Sequence, residues 1–367
     1  MDEMGEDKMF HRCLLHAAIV LSLAAACAFG QAVPVFNASG LVKLGDTIRY
    51  GSYEVIKIGD GIHQLKDSGD PRAQKGGLIG TDMYVICGTA KALLIDLGNN
   101  YIDGYAGDAI LPRKNAAEEL RAVLDGLIGK LPLEIAVTHA HPDHDGMTGA
   151  FLDRKAIIWM PKGENLEAPR TQHKIDPAVY TTFDHPIKTF DLGGGRVVKP
   201  LQVRGHSDGC TVYLLPGEMM LFSGDALGIG AGRSLRNAAQ LKVWAEDTQK
   251  LVDYMKANFT PYERYSLKVY TGHSVENPIP GFISPNHGRV DIAYMDWRFV
   301  QDQASCGNAI LKGQWLVPDS GLRYMEVINS QSGRKVSLMT YGIGAVEIPI
   351  QEAYAAAGLK MPEKMPE

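Results

Sequence analysis

The sequence predicts an α/β layered sandwich, because two groups of short strands are each followed by an amphipathic helix. The first group consists of apolar and β-branched runs between Gly and polar turns, namely YEVIKI, GIHQL, MYVIC and ALLID. Residues 88–91 (GTAK) fit a four-residue hairpin loop between the last two runs. In the helix that follows, AAEELRAVLDGLIG, apolar side chains recur at spacings of three and four: Leu120, Val123, Leu124 and Leu127.

The second group of strands begins with LEIAV and AIIWM and continues, after a polar stretch, with VVKPLQV, TVYLLPG and EMMLFSGD. A second helix is predicted near residues 240–258, where Leu241, Trp244 and Leu251 belong to an apolar stripe, and the strand SLKVYTGH follows it. Beyond residue 280 the pattern predicts a helix, RVDIAYMDWRFVQ, and three short strands, RYMEVI, KVSLMTY and AVEIPI. We therefore predict a main domain over residues 48–280 and a small C-terminal extension over residues 281–367.

The first 30 residues differ in character from the rest of the chain. Lys8 and Arg12 precede an apolar run over residues 13–30, a pattern typical of a secretory signal peptide, here cleaved before Gln31. Two alternatives remain open: a lipoprotein cleavage box ending at Cys27, and an uncleaved membrane anchor. We expect an exported protein, periplasmic or extracellular, in which residues 31–47 form a linker and membrane attachment would occur only through the N-terminus.

Composition and cysteine content exclude several classes of protein. The chain has 367 residues, of which 45% are hydrophobic, and a formal charge of only -5, so a nucleic-acid partner is not expected. Without residues 1–30 the remaining cysteines are Cys87, Cys210 and Cys306, whose spacing is typical of neither a disulfide framework nor a zinc-thiolate site. We interpret Cys87 and Cys210 as small buried strand residues.

A cluster of titratable residues follows the strand LEIAV directly. The stretch EIAVTHAHPDHDG contains His139, His141, Asp143, His144 and Asp145. In an extended segment, residues two apart point the same way, so His139 and His141 can bind one ion while Asp143 and His144 turn towards a neighbouring one. The stretch therefore predicts a metal-binding loop.

Further candidate ligands stand where later strands end. His206 lies in the turn VRGHSDG, Asp225 at the end of LFSGDAL, and His273 at the end of VYTGHS. Ligand-bearing residues of α/β proteins gather at such strand ends. Each residue alone is a weak signal, but their order along the chain after His139 makes the set specific.

This order of motifs resembles the metallo-β-lactamase superfamily, over roughly residues 50–275. The resemblance implies a four-layer αββα sandwich with a two-metal cleft at one edge of the sheets. It implies that three histidines bind the first metal (His139, His141, His206), that three residues bind the second (Asp143, His144, His273), and that Asp225 bridges both. It also implies that Asp96, in ALLIDLG, supports the metal loop and that Asp143 assists proton transfer as the catalytic residue.

The resemblance implies a dinuclear zinc hydrolase, with a metal-bridging hydroxide that attacks a small ester, lactone, thioester or β-lactam. Together with the N-terminal pattern, this predicts an exported enzyme. Iron or manganese are alternatives to zinc. Asp225 stands where one subclass of true β-lactamases has Cys, and the ligand set is more similar to glyoxalase II-like thioester hydrolases, lactonases and phosphodiesterases. The alternatives are a persulfide-dioxygenase-like non-haem iron oxidoreductase on the same fold and a catalytically idle binding protein. The expected partner is a small-molecule substrate, and the sequence does not predict the oligomeric state.

The loops around the predicted cleft have less specific interpretations. Residues 162–186 either cap the cleft or form a solvated connection, and residues 228–234 form a Gly-rich rim after Asp225. Asp208 is interpreted as a turn residue near the mouth of the cleft. His173 and His185 have no ligand-like spacing, and His287 is at most a substrate contact.

Overall fold

Three β-sheets and six α-helices are formed by the part of the chain that the computed structural model describes. The described residues are 34–67, 81–99, 115–167, 174–185, 188–228, 233–274, 294–328 and 335–362. The chain divides into two compact units, residues 1–35 and residues 36–367, and the elements below all belong to the second. The predicted signal peptide lies outside the described residues. Among the helices that are described, none combines the length and the apolar character needed to cross a membrane.

The first sheet has eight strands in sequence order, antiparallel from the first to the fifth and parallel from there to the eighth. These strands are β1 (Thr47–Tyr50), β2 (Tyr53–Gly59), β3 (Ile62–Asp67), β4 (Asp82–Cys87), β5 (Ala92–Ile95), β6 (Leu133–Ala136), β7 (Ile157–Pro161) and β8 (Tyr180–Phe183). The parallel half is built by crossovers, which bring the carboxyl ends of β5 and β6 to the same edge.

The second sheet has the order β14-β12-β11-β10-β9, and the third has the order β13-β17-β16-β15. The second consists of β9 (Phe190–Asp191), β10 (Val197–Gln202), β11 (Thr211–Leu215), β12 (Met220–Gly224) and β14 (Lys268–Thr271). The third consists of β13 (Arg233–Ser234), β15 (Leu322–Ile328), β16 (Lys335–Tyr341) and β17 (Gly344–Ile348). The parallel pair β12 and β14 places two carboxyl ends side by side.

The helices are α1 (Ala116–Ile128), α2 (Pro142–Asp145), α3 (Ala238–Asn258), α4 (Pro261–Tyr265), α5 (Trp297–Leu311) and α6 (Ile350–Ala356). Short 3₁₀ helices lie at Ala38–Gly40, Thr148–Arg154, Pro177–Val179, Pro216–Glu218 and Gln314–Leu316. Helix α3 begins at Asn237, whose side chain accepts a hydrogen bond from the backbone of Gln240, and α4 begins with a capping box between Thr260 and Glu263.

Three buried clusters show how these elements are layered. One lies between the first and second sheets and combines aliphatic with aromatic side chains, with Tyr84, Tyr213 and Phe222 among its members. A second fills the space between the first sheet and α1, and the third joins the second sheet to α3, α5 and the third sheet. Helices therefore cover the outer faces of two packed sheets, and the α/β sandwich predicted from the sequence is confirmed.

Two predicted boundaries differ from the structure. Phe36 and Leu41, inside the predicted linker, are buried in the cluster beneath α1, so residues 36–47 belong to the packed domain. Of the helix predicted at residues 289–301, the structure describes residues 294–301. There the helix begins at Trp297, because the Asp296 side chain accepts from the Phe299 backbone and caps it, and it continues to Leu311. The predicted boundary at residue 280 lies outside the described residues and stays a prediction.

The three cysteines within the described residues are free thiols. Cys210 and Cys306 are buried, and Cys87, the last residue of β4, is partly buried. Cys210 immediately precedes β11 and Cys306 lies within α5. Their surroundings are those of small packing residues.

His63 on β3 provides a test of the packing of the first sheet. It is 8% exposed, and its Nδ1 makes no hydrogen bond to a described residue. Burial lowers the pKa of His63 from 6.5 to about 4, and the nearby Lys57 acts in the same direction. The neutral ring is therefore favoured by folding, so its contribution to stability is complete above pH 6.5 and is lost as the pH falls towards 4.

We expect the free energy of unfolding to fall by up to about 3 kcal/mol more in the wild type than in His63→Gln between these pH values. The free energy of unfolding is measured by urea unfolding of both proteins after bound metal has been removed with a chelator. All other histidines then titrate alike in the two proteins, and the difference reports on His63. If the free energy of unfolding depends on pH in the same way in both proteins, His63 is not held in its neutral form by folding.

Candidate metal centre

Four strand ends deliver the predicted ligands to one place. β6 leads through Thr138 to His139, and β10 leads to His206 in the turn before β11. On the neighbouring strands β12 and β14, Gly224 pairs with Thr271, so that Asp225 and His273 follow side by side. Two tyrosines buried between the first and second sheets support two of these ends: the Tyr213 hydroxyl donates to the Val137 carbonyl at 2.7 Å, and the Tyr84 hydroxyl donates to the Thr271 carbonyl at 2.5 Å.

His139, His141 and His206 form the first group. Nε2 of His206 lies 2.9 Å from Nε2 of His139 and 2.8 Å from Nδ1 of His141. His139 is buried, and the other two are partly exposed. Three ring nitrogens thus converge on one point, and two of the three rings are partly exposed.

Asp143, His144 and His273 form the second group. Oδ2 of Asp143 lies 3.3 Å from Nε2 of His273 and 3.8 Å from Nε2 of His144. Helix α2 positions the first two of these residues, with His141 at its N-cap and Pro142 in its first turn. All three side chains are buried.

Asp225 lies between the two groups. Its Oδ1 is 3.3 Å from Nε2 of both His144 and His273, and its Oδ2 is 3.5 Å from Nε2 of His206. One carboxylate therefore faces ligands of both groups. The structure brings all seven predicted metal ligands together, including the predicted catalytic residue Asp143.

The protonation states follow from burial and from the charges nearby. Burial lowers the pKa of His139 well below its usual value, and His144 acts in the same direction. Burial alone would raise the pKa of Asp225, but His273 and His144 outweigh it and hold the pKa well below the ordinary range. For His144, burial is outweighed by Asp225 and Asp96, which raise its pKa to about 10. Ionised carboxylates in a buried space call for positive charge beside them.

Asp96 orients the ligand loop from behind. Its Oδ1 accepts a hydrogen bond from the Thr138 backbone at 2.7 Å, and its Oδ2 lies 2.8 Å from Nδ1 of His144. The Thr138 hydroxyl donates to Asp96 at 2.9 Å and lies 3.0 Å from Nδ1 of His139. Partners of this kind fix the ring orientation of metal-binding histidines. Asp96 therefore lies where it can support the metal loop.

The donor set fits a divalent metal. Imidazole nitrogens and carboxylate oxygens are ligands that zinc, iron and manganese accept. Gly272 provides a second observation, because a Cβ there would stand 2.7 Å from Oδ1 of Asp225 and 2.8 Å from Cε1 of His144. The close approach of β14 to the cluster thus depends on the absence of a side chain at this position. Sequence reasoning missed Gly272, since a Gly before a strand-end His has no distinctive signal.

Of the remaining candidate residues, those that the structure describes belong to neither ligand group. Asp208 is exposed in the turn after His206, as interpreted from the sequence. His185 belongs to neither ligand group, and its Nε2 lies 3.0 Å from the Thr211 hydroxyl. His173 and His287 lie outside the described residues, as does most of the predicted rim at residues 228–234.

Comparisons with known proteins agree with the motifs. A family model described as the metallo-beta-lactamase superfamily matches residues 76–258. A hydroxyacylglutathione hydrolase of Rhizobium meliloti (strain 1021) is 29% identical over 126 residues, which are 34% of this chain and 46% of that protein. This chain thus matches less than half the length of that curated relative.

Two solved structures show similarity at low sequence identity. A metallo-β-lactamase from Erythrobacter litoralis has a TM-score of 0.48 and 15% identity, covering 72% of this chain and 99% of that one. A β-lactamase domain protein from Burkholderia ambifaria has a TM-score of 0.49 and 16% identity, covering 78% of this chain and 84% of that one.

Proposed function

The chain belongs to the metallo-β-lactamase superfamily, and from this premise we propose that it is a metal-dependent hydrolase with two zinc ions. The observation that carries the proposal is the convergence of five imidazoles and two carboxylates at one edge of the sandwich. The substrate class that we propose is a small ester, lactone, thioester or β-lactam. The curated relative is named as a hydrolase of hydroxyacylglutathione, so such a conjugate is included among the substrates to be tested.

The seven residues of the cluster form two sets of ligands, one for each proposed ion. His139, His141 and His206 would hold one ion, and Asp143, His144 and His273 would hold the other, with Asp225 in contact with both groups. Bound ions of this type polarise a carbonyl or phosphoryl oxygen and lower the pKa of water to about 7.

The protein's own groups orient the site and handle protons. Asp96 and Thr138 hold the rings of His144 and His139 by their outer nitrogens, so these rings keep their direction when substrate enters. Asp143, whose Oδ2 lies 3.3 Å from Nε2 of His273, is the carboxylate that we propose to accept a proton from the attacking water, through the oxygen not needed for holding the ion. Burial of the cluster limits access of bulk water and strengthens these interactions.

The proposal is tested by metal content and by hydrolysis. We expect about two zinc ions per chain by mass spectrometry on the purified full-length protein, and turnover of a hydroxyacylglutathione, a lactone or a chromogenic cephalosporin. His141→Ala should lower turnover by roughly 10³-fold, equivalent to about 4 kcal/mol of transition-state stabilisation.

His185→Gln is the matched control, because it removes a histidine outside the cluster and should retain turnover. A single iron with oxygen consumption, or a folded wild-type protein that binds no metal, would overturn the proposal. Equal activity in His141→Ala and in the wild type would contradict the role of the first group.

We also propose that the protein is exported, on the basis of the charged and apolar pattern of residues 8–30. N-terminal sequencing of the protein from its native cell should begin at Gln31. A mature chain that still begins at Met1 would contradict cleavage.

A further inference from the structure

The turn that follows β7 lies against the turn that carries His206. A Cβ on Gly163 would stand 3.2 Å from the Asp208 carbonyl oxygen, and a Cβ on Gly209 would stand 2.9 Å from the backbone nitrogen of Glu164. These residues begin the segment 162–186, for which the sequence allowed either a cap over the cleft or a solvated connection. The beginning of this segment is packed on the turn that carries His206. This packing directs the Glu164 side chain inward.

The Glu164 carboxylate joins the two loops that carry the first group of ligands. Its Oε2 accepts a hydrogen bond at 2.9 Å from the backbone nitrogen of Ala140, the residue between His139 and His141. Its Oε1 accepts from the Ser207 hydroxyl at 2.5 Å and from the Gly209 backbone at 2.9 Å, on the turn that begins at His206.

We infer that Glu164 is a positioning residue, which clamps the His139–His141 loop to the His206 turn and so sets the spacing of the first group of ligands. The inference rests on the proposed function, because it concerns metal binding by these histidines. Glu164 touches none of the three rings in the contacts above and acts through their backbone neighbours.

A carboxylate suits this clamp better than any neutral side chain. Three donors converge on Glu164 from two loops, and an ionised carboxylate offers about four lone-pair sites with no donor of its own. A Gln could accept with its single oxygen from Ser207 and Gly209, but its amide group would then face the N–H of Ala140. We therefore expect Glu164→Gln to keep only part of the clamp.

Measuring zinc affinity distinguishes a positioning role of Glu164 from a merely structural one. Zinc should bind Glu164→Ala with an affinity about 10- to 100-fold lower at one of its two sites, measured by competition with a chromogenic chelator. Glu164→Gln should lie between this variant and the wild type. In metal-free protein, amide hydrogen exchange over residues 134–146 and 203–212 should be faster in Glu164→Ala.

Glu134 offers a matched control at the other end of β6. Its carboxylate accepts from the Trp159 indole at 2.7 Å and pairs with Lys91 at 2.5 Å, away from the ligand loops. Glu134→Ala should lower thermal stability and leave both zinc affinities unchanged. If Glu164→Ala fails to fold, Ser207→Ala, which removes one donor of the clamp, should still weaken one zinc site several-fold.

The outcomes distinguish this inference from the proposed function. A wild-type protein that binds no metal would overturn both the proposed function and the role of Glu164. A wild-type protein that binds two ions, with Glu164→Ala equal to it in zinc affinity and in hydrogen exchange, would overturn the clamp alone.

Discussion

Replacing Asp225 by Ala is expected to abolish stable binding at both metal sites and to lower hydrolysis by roughly 10³-fold or more. The reason is the central position of this carboxylate, whose oxygens lie 3.3 Å from His144 and His273 and 3.5 Å from His206. Its removal takes a buried negative charge away from both groups of ligands at once. Metal content after dialysis and turnover of the identified substrate measure the two effects.

Asp302→Asn is the control for general damage from changing a buried carboxylate. Asp302 is 9% exposed and accepts a hydrogen bond from the Ile343 backbone at 3.0 Å, in the C-terminal part of the domain. This variant should lose stability but keep two ions. An Asp225→Ala protein that retains both ions would show that the carboxylate is not shared.

The second large effect is expected from Gly272→Ala, which adds a single methyl group. The new Cβ would be 2.7 Å from Oδ1 of Asp225 and 2.8 Å from Cε1 of His144, distances at which one side must move. We expect the second zinc site to weaken by about 100-fold, equivalent to about 3 kcal/mol, with stability reduced by about 1–3 kcal/mol. Zinc titration and thermal unfolding measure the two quantities.

Gly217→Ala is the matched control, because a Cβ at Gly217 meets nothing within 4 Å. It should be indistinguishable from the wild type in zinc binding. Unchanged zinc affinity in Gly272→Ala would show that the cluster can shift to accept the methyl group, and that the close approach of β14 is not required.

Much of the fold could be predicted because local patterns and burial agree. Most strands of the two main sheets are short apolar runs between turns, and α1 and α3 have clear apolar faces. The exceptions occur where a local signal competes with another. The sequence pattern predicts a helix that already includes residues before Trp297. In the structure the Asp296 side chain caps the Phe299 backbone, so α5 begins only at Trp297. Phe36 and Leu41 lie in a segment without strong periodicity, and only the space beneath α1 decides that they are buried.

The sequence by itself determined which side chains can form the metal centre, because His-x-His-x-Asp-His is a local pattern and the other donors follow strands. Only the tertiary structure decided what holds them in place. Glu164 reaches Ala140 and Gly209 across 24 and 45 positions of the chain, and Gly272 is constrained by atoms of Asp225 and His144. Contacts between residues so far apart leave no periodic trace in the sequence, since they arise when separate strand ends meet at one edge of the packed sheets.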